Sequence, residues 1–350
     1  MEIVKHKWIP VIFLITSILL LSACSKKTPK EETPEPETKA PEQTEQSSDN
    51  SPAYHFPLTG LGTDVEPNQR AVAVTINNHP DARPQTGLSQ ADIVYELLAE
   101  GNVTRFLAVF QSEKPENIGP VRSARPFFIE IAQGYKGLFI AHGYSPDAEN
   151  ILASGAIDHL NGMKYDGTLF KRSSDRKAPH NSYITFENIE KGAEDNNFSM
   201  TGPPASMDFY KEDELESING NGTEQIKVVY GNSSQFTAEY RYDSQSSQYS
   251  RFSDGEQTVE YKTVEPVLVK NLLVIETEHK VLDSAGRRSI DLQSGGKAYL
   301  FQNGIMKELE WKSVDGRILP YENDQPAKLV SGKTWVNVVP SLDDVSFELK

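Results

Sequence analysis

The sequence predicts an α+β fold: a mixed α/β N-terminal region with a βαβ unit, followed by a mainly antiparallel β region. Three observations lead there. Before about residue 200, apolar residues recur with both the helical and the strand period. After about 225, nearly every apolar run reads as a strand. Between them, Pro203-Pro204 and the polar, glycine-containing stretch Ser217-Ile218-Asn219-Gly220-Asn221-Gly222 break both patterns.

In the first region, 71–76 is a compact strand. The runs 92–100 and 103–110 flank Gly101-Asn102, a two-residue hairpin turn. This register sets Glu100 opposite Val103 and Leu98 opposite Arg105, so Arg105 reaches both Glu96 and Glu100. A helix follows over 123–135, with Phe128, Ile131, Ala132 and Tyr135 as its apolar stripe. Residues 137–141 form a short buried strand. Ser145-Pro146-Asp147 opens the next helix with a cap, a proline at the first helical position and an acid in the first turn; Gly155 closes it. A last amphipathic helix covers 185–195. The second region offers strands near 226–230, 236–243, 247–252, 267–276, 297–301, 305–312 and 334–339. Asn303-Gly304 is its strongest hairpin signal.

The N-terminus reads as an address. Lys5 and Lys7 precede an apolar run from Ile9 to Leu21, too short for a bilayer span of about 20 residues. Leu21-Ser22-Ala23-Cys24 resembles the lipobox of bacterial lipoproteins, which implies cleavage after residue 23 and a diacylglyceryl thioether, with palmitate-type acyl chains, on Cys24. Residues 24–53 are Lys, Glu, Thr, Pro, Gln and Ser-rich, a composition that builds no core and spaces a domain from its anchor. The expected organisation is therefore 1–23 signal peptide, 24–53 lipidated tether, 54–200 mixed α/β domain, 201–225 linker and 226–350 β-rich domain.

The 350 residues carry a net charge of −15 and a single cysteine. No basic block exists to neutralise phosphates, so nucleic acid is not an expected partner. One cysteine excludes a disulfide framework and Cys-rich metal sites. The folded-region histidines at 55, 79, 142, 159, 180 and 279 show no tight metal spacing, so neither a metal nor another cofactor is expected.

If the strands at 103–110 and 138–141 are parallel neighbours, the βαβ unit spans 103–142 and ligands bind at its carboxyl edge. That edge collects Arg122, Arg125, His142 and Ser145. Two arginines at a helix N-terminus oppose the macrodipole, and an anionic ligand would compensate. The alternative is pairing with Glu96, Asp92 or Asp147. Arg172, His180 and Asn181 lie in a basic loop that adds an anion or amide-recognition site. Glu96 and Glu100 are either an ion-pair network with Arg105 or, if the protein is an enzyme, a carboxylate pair for glycoside chemistry with His142 nearby. Tyr230, Tyr240, Tyr242, Tyr249 and Tyr261 are either sheet packing or a platform for sugar rings.

Several stretches together resemble the YerB-type lipoproteins of low-GC Gram-positive bacteria, a family built on a two-part domain of unknown function. They are 77–85 (NNHPDARPQ), 91–96 (ADIVYE), 104–108 (TRFLA), 119–126 (GPVRSARP) and 179–181 (PHN). The resemblance covers roughly 55–340, and Gly101-Asn102 departs from a Gly-Gly pattern. It implies a surface lipoprotein of this two-part architecture and brings no catalytic residues. The leading expectation is a binding protein on the outer face of the cytoplasmic membrane. It would hold an anionic ligand, a cell-wall component or an envelope protein. The rivals are a cell-wall (peptidoglycan) enzyme and a transporter-associated substrate-binding protein.

Overall fold

A computed structural model describes residues 52–231 and 233–349. The signal, Cys24 and nearly all of the tether lie outside the described residues. The first-region elements are β1 (Val72–Asn77), β2 (Ile93–Glu100), β3 (Val103–Phe110), α1 (Pro126–Gly134), β4 (Leu138–Ala141), α2 (Pro146–Ala153), β5 (His159–Asn161), β6 (Phe170–Arg172), β7 (Ser182–Ile184) and α3 (Phe186–Asp195). The second region adds β8 (Asn221–Val228), β9 (Ala238–Asp243), β10 (Gln248–Ser253), β11 (Asn271–Glu276), β12 (His279–Val281) and β13 (Arg288–Ile290). It ends with β14 (Gly296–Gln302), β15 (Ile305–Val314), β16 (Arg317–Glu322), β17 (Thr334–Val339) and β18 (Val345–Leu349). β8 thus begins inside the segment read from sequence as a linker.

One mixed sheet runs through both regions in the order β16-β15-β14-β11-β17-β2-β3-β1-β4-β5. Its central seam is parallel: β17 lies between β11 and β2, with Asn337 opposite both Val274 and Glu96. The fold is α+β, as the residue pattern predicts, with helices in the first region and almost only strands in the second. The βαβ unit is not 103–142, however. β3 pairs antiparallel with β1, and β1 separates it from β4. The parallel unit is β4–α2–β5, where Ser145 caps α2 by accepting from the Ala148 amide at 3.4 Å. Strand β3 fills its slot antiparallel because Gly101 and Asn102 leave no length for a crossover.

The two sheet faces carry separate cores, set by strand alternation. On one face, Val94, Leu98, Phe106 and Trp335 pack under a small antiparallel sheet, β10-β9-β8-β18, and against α3. On the other, Tyr95, Leu97, Leu107 and Val336 pack against α1 and α2 through Phe127, Phe128, Ile131 and Leu152. Tyr230, Tyr240 and Tyr249 are fully buried in the first core. They pack the sheet and offer no platform for sugar rings.

Helix α1 abuts the β15–β16 turn closely. A Cβ on Gly134 would lie 2.2 Å from the Gly316 carbonyl oxygen, and both are backbone contacts that cannot rotate away. Gly134→Ala is expected to cost about 1–3 kcal/mol, by the usual penalty of overpacking. A denaturation midpoint equal to wild type would contradict this contact.

Strand β12 leaves His279 half-buried, with both ring nitrogens closed off and unpartnered among the described residues. Burial, helped by the nearby Arg288 charge, pushes this imidazole from 6.5 down to about 4. The unfolded chain therefore takes up a proton below pH 6.5 that the folded chain refuses. Stability falls as pH drops from about 6.5 to about 4, by up to about 3 kcal/mol. His279→Phe should flatten that limb of the stability-against-pH curve; an unchanged limb would assign it elsewhere.

Candidate functional site

The site forms where the segment 118–124 crosses the carboxyl ends of β1 and β4. Arg122 N donates to Thr75 O at 2.9 Å, and His142 N donates to Arg122 O at 2.9 Å. Ala124 N donates to Gly143 O, which completes a short ladder onto the chain leaving β4. Arg122 and His142 therefore sit side by side, although the strands that sequence reasoning used to join them are not neighbours. Helix α1 starts only at Pro126, so Arg122 lies in extended chain ahead of it, and only Arg125 opposes the helix dipole.

Arg122 is half-buried, and its guanidinium has no hydrogen-bond acceptor among the described residues. Burial works against its charge. Arg125 is different. Its guanidinium pairs with Glu100 and donates to Ala124 O at 2.5 Å. It shares the Glu100 carboxylate with Arg105 as an ion-pair partner, and that acid is none of the three considered from sequence.

His142 is half-buried and locally fixed. Arg172 Nη2 donates to His142 Nε2 at 2.9 Å. The ring proton is therefore on Nδ1, which donates to Ser182 Oγ at 2.7 Å. That polarity is opposite to base activation of a hydroxyl, and it leaves His142 without a free lone pair for general-base work. Burial, then the Arg172 charge, lowers its pKa. Its ring needs Gly162: a Cβ there would lie 2.2 Å from Nδ1. Arg172 also binds Asp166 at 2.9 Å and Asn181 Oδ1 at 3.2 Å, while Asn181 Nδ2 donates to Ser173 O. Arg172 and Asn181 thus brace the β6–β7 ribbon. Ser145 has its oxygen turned to α2 as the helix cap.

His180 stands apart from these. Asn77 Nδ2 donates to His180 Nδ1 at 2.8 Å, and His79 N donates to Asn77 Oδ1 at 3.0 Å, which fixes the amide orientation. The His180 proton is then on Nε2, pointing away as a donor. His79 accepts from Asp81 N on its own Nδ1, so it too carries Nε2–H. The two rings stack at 4.6 Å. Burial, then His79 and Arg122, lowers the His180 pKa. Sequence spacing did not reveal this pair; only the 3-10 turn Pro80–Ala82 and the β6–β7 ribbon bring them together. Among the described residues, His79, Asp81 and His180 are the group whose ligand atoms, within 4.8 Å, could share a metal ion. The hydrogen bonds on both Nδ1 atoms leave protonated nitrogens outward, a donor set that suits an anion better than a cation.

The carboxylate pair considered for glycoside chemistry does not exist. A bulge between Leu98 and Glu100 turns Glu100 to the opposite face from Glu96 and puts Leu97, not Leu98, opposite Arg105. Arg105 binds Glu100 at 3.0 Å and Ser123 O, not Glu96. Glu96 is 0 % exposed and binds Arg251, 1 % exposed, at 2.8 Å beneath Trp335 and Phe106. Thr104 Oγ1, Asn78 Nδ2 and Trp335 Nε1 also donate to it. Glu96 is a core residue without access to substrate.

The open donors are thus Arg122 and the Nε2–H of His180 and His79. They adjoin His142, the Arg172–Asp166 pair and the Asp81 carboxylate, which leaves Arg122 as the unpaired cation of this edge among the described residues.

Comparison with known proteins agrees with this two-part layout. Residues 58–199 match the N-terminal domain model of the protein of unknown function DUF3048, and residues 226–336 match its C-terminal domain model. YerB of Bacillus subtilis (strain 168), named as a candidate lipoprotein, is 42 % identical over 342 residues, covering 97 % of each chain. A crystal structure of YerB from Bacillus subtilis superposes with a TM-score of 0.79 at 44 % identity, over 84 % of this chain and 99 % of that one. The stretches 77–85, 119–126 and 179–181, read from sequence as the marks of the YerB-type family, are those that converge on this edge, and the chain belongs to the DUF3048 family.

Proposed function

We propose that this protein is a lipid-anchored envelope lipoprotein on the outer face of the cytoplasmic membrane, and that it binds an anionic ligand through Arg122 and His180. The anchor reading is supported by Lys5, Lys7, the short apolar run and the Leu21–Cys24 lipobox, and by the name of its Bacillus relative. Labelled palmitate should enter the wild-type chain and not Cys24→Ser; incorporation into the variant would overturn the anchor.

The single observation carrying the binding reading is Arg122: a half-buried guanidinium with no acceptor among the described residues, beside an outward imidazole N–H. A half-buried guanidinium is only partly hydrated, and a carboxylate or phosphate oxygen placed there would satisfy both donors. The pH dependence follows. Burial, then His79 and Arg122, outweigh Asp81 and hold the His180 pKa below its ordinary value in the empty site. An anion reverses that balance and raises the pKa. Binding then takes up a proton, and affinity rises as pH falls through the His range. Calorimetry of the full-length chain in detergent with inorganic sulfate, whose charge is the same at both pH values, should show tighter binding at pH 5.5 than at pH 7.5, with proton uptake. Equal affinity at both, or none in either, would overturn the anion site.

A further inference from the structure

A second concavity, not lined by Arg122 and meeting the first edge at Arg172, lies between loops of the N-terminal and C-terminal regions. Its volume is about 440 Å³, within the roughly 300–1,000 Å³ usual for ligand clefts. One wall is the turn 86–90, another the β6–β7 ribbon, and the third the loop 260–265. The walls are tied to each other. The Glu260 carboxylate accepts from Gly87 N and Ser89 N at 2.7 Å each, and Tyr261 N donates to Gln85 O at 2.9 Å. Arg176 stacks on the Tyr261 ring at 4.4 Å and donates to Pro84 O. The cleft is therefore held open by contacts between the N-terminal and C-terminal regions.

Its charged lining is mixed and in part unsatisfied: Lys171 donates to Gly167 O, Arg172 to Asp166, and Glu260 accepts from the two amides above. Glu116, Lys262 and Glu265 are exposed, and among the described residues none of their charged groups has a hydrogen-bond or ion-pair partner. Gln90, Asn117 and Thr263 add amide and hydroxyl groups. Tyr183 lines the cleft at 6 % exposure, and its hydroxyl is buried without a partner. Val264, on the 260–265 loop, is 67 % exposed and holds φ +59°, a conformation that a β-branched residue avoids. Strain of this kind concentrates at functional loops.

We propose that this cleft binds a short peptide with free termini. Carboxylates and an ammonium facing one cleft complement a ligand carrying both charges. Lys171 and Arg172 also line the cleft but are already engaged by Gly167 O and Asp166, so a ligand carrying only negative charge would meet the unpaired Glu116 and Glu265. A sugar would want an exposed aromatic face, and the Tyr183 ring is buried. Amide and hydroxyl side chains match a peptide backbone.

The test uses the full-length chain in detergent micelles and a mixture of free tetrapeptides, with the same peptides acetylated and amidated as competitors. Retained peptides are read by mass spectrometry. Free peptides should be retained at least tenfold over blocked ones. The variant Glu116→Ala, Lys262→Ala, Glu265→Ala should lose at least tenfold, with its unfolding midpoint unchanged because all three side chains are exposed. Lys262→Glu alone gives a second reading should the triple variant not fold. Arg122→Ala should retain peptide as wild type does, which separates this cleft from the anion edge. Equal retention of free and blocked peptides, undiminished retention by the triple variant, or none above empty micelles would overturn the proposal.

Discussion

Arg251→Ala should cost about 3–5 kcal/mol of stability, the largest loss expected from any single side chain in the protein. Removing the guanidinium leaves the Glu96 carboxylate in a site that is 0 % exposed, without its charge partner. The pair also joins the two regions. Glu96 belongs to β2, Arg251 to β10, 155 residues away, and both lie against Trp335 of β17. Around them Tyr230 Oη donates to Asn337 Oδ1 at 3.0 Å and Asn337 Nδ2 donates to Tyr240 Oη at 3.0 Å. Such a network orders one packing arrangement rather than adding net stability, since two opposed buried charges barely offset their own desolvation. The double variant Glu96→Gln, Arg251→Met should therefore recover at least half of the single-variant loss, because no charge is left alone. Denaturant midpoints of the two variants check this. A double variant as unstable as the sum of the singles would show that the charges themselves stabilise the fold.

These two residues also show where sequence reading stops. Glu96 was visible as an acid on a strand, and the Gly101-Asn102 turn fixed its hairpin. Its partner was not visible, because nothing local links it to a position 155 residues on. The bulge beyond Leu98 was equally hidden, and it alone moved Glu100 to the other face. Locally encoded features were legible: the Ser145 cap with Pro146, the hairpin turns, the helical stripe of α1. The parallel insertion of β17 between β11 and β2 was not, since strand order in a sheet depends on distant pairings. Arg122 and His142 were placed together from sequence by an argument about parallel strands that the fold does not follow. They meet because residues 118–124 add to the ends of β1 and β4. The His79–His180 stack left no trace in sequence spacing. Its only signal was that both residues fall in the stretches 77–85 and 179–181.

The second large effect is expected in binding. Arg122→Ala should weaken phosphate about 10- to 100-fold, the range for losing a charge-assisted hydrogen bond of roughly 1.5–3 kcal/mol. The same substitution should leave the fold intact or raise its unfolding midpoint, because it removes a half-buried cation that no described residue neutralises. Arg125→Ala is the contrasting variant. It breaks the pair with Glu100, so it should lower stability without a comparable loss of phosphate binding. Reversed outcomes for the two arginines would move the site to the wrong guanidinium.

The most direct test is nuclear magnetic resonance of ring-labelled histidines in the full-length chain, titrated with inorganic phosphate. Phosphate at this edge should shift the His180 ring resonances and raise its pKa, leave exposed His55 unmoved, and do neither in Arg122→Ala. Identical His180 titration curves with and without phosphate, or the same shift in the Arg122→Ala chain, would contradict an anion site built on Arg122.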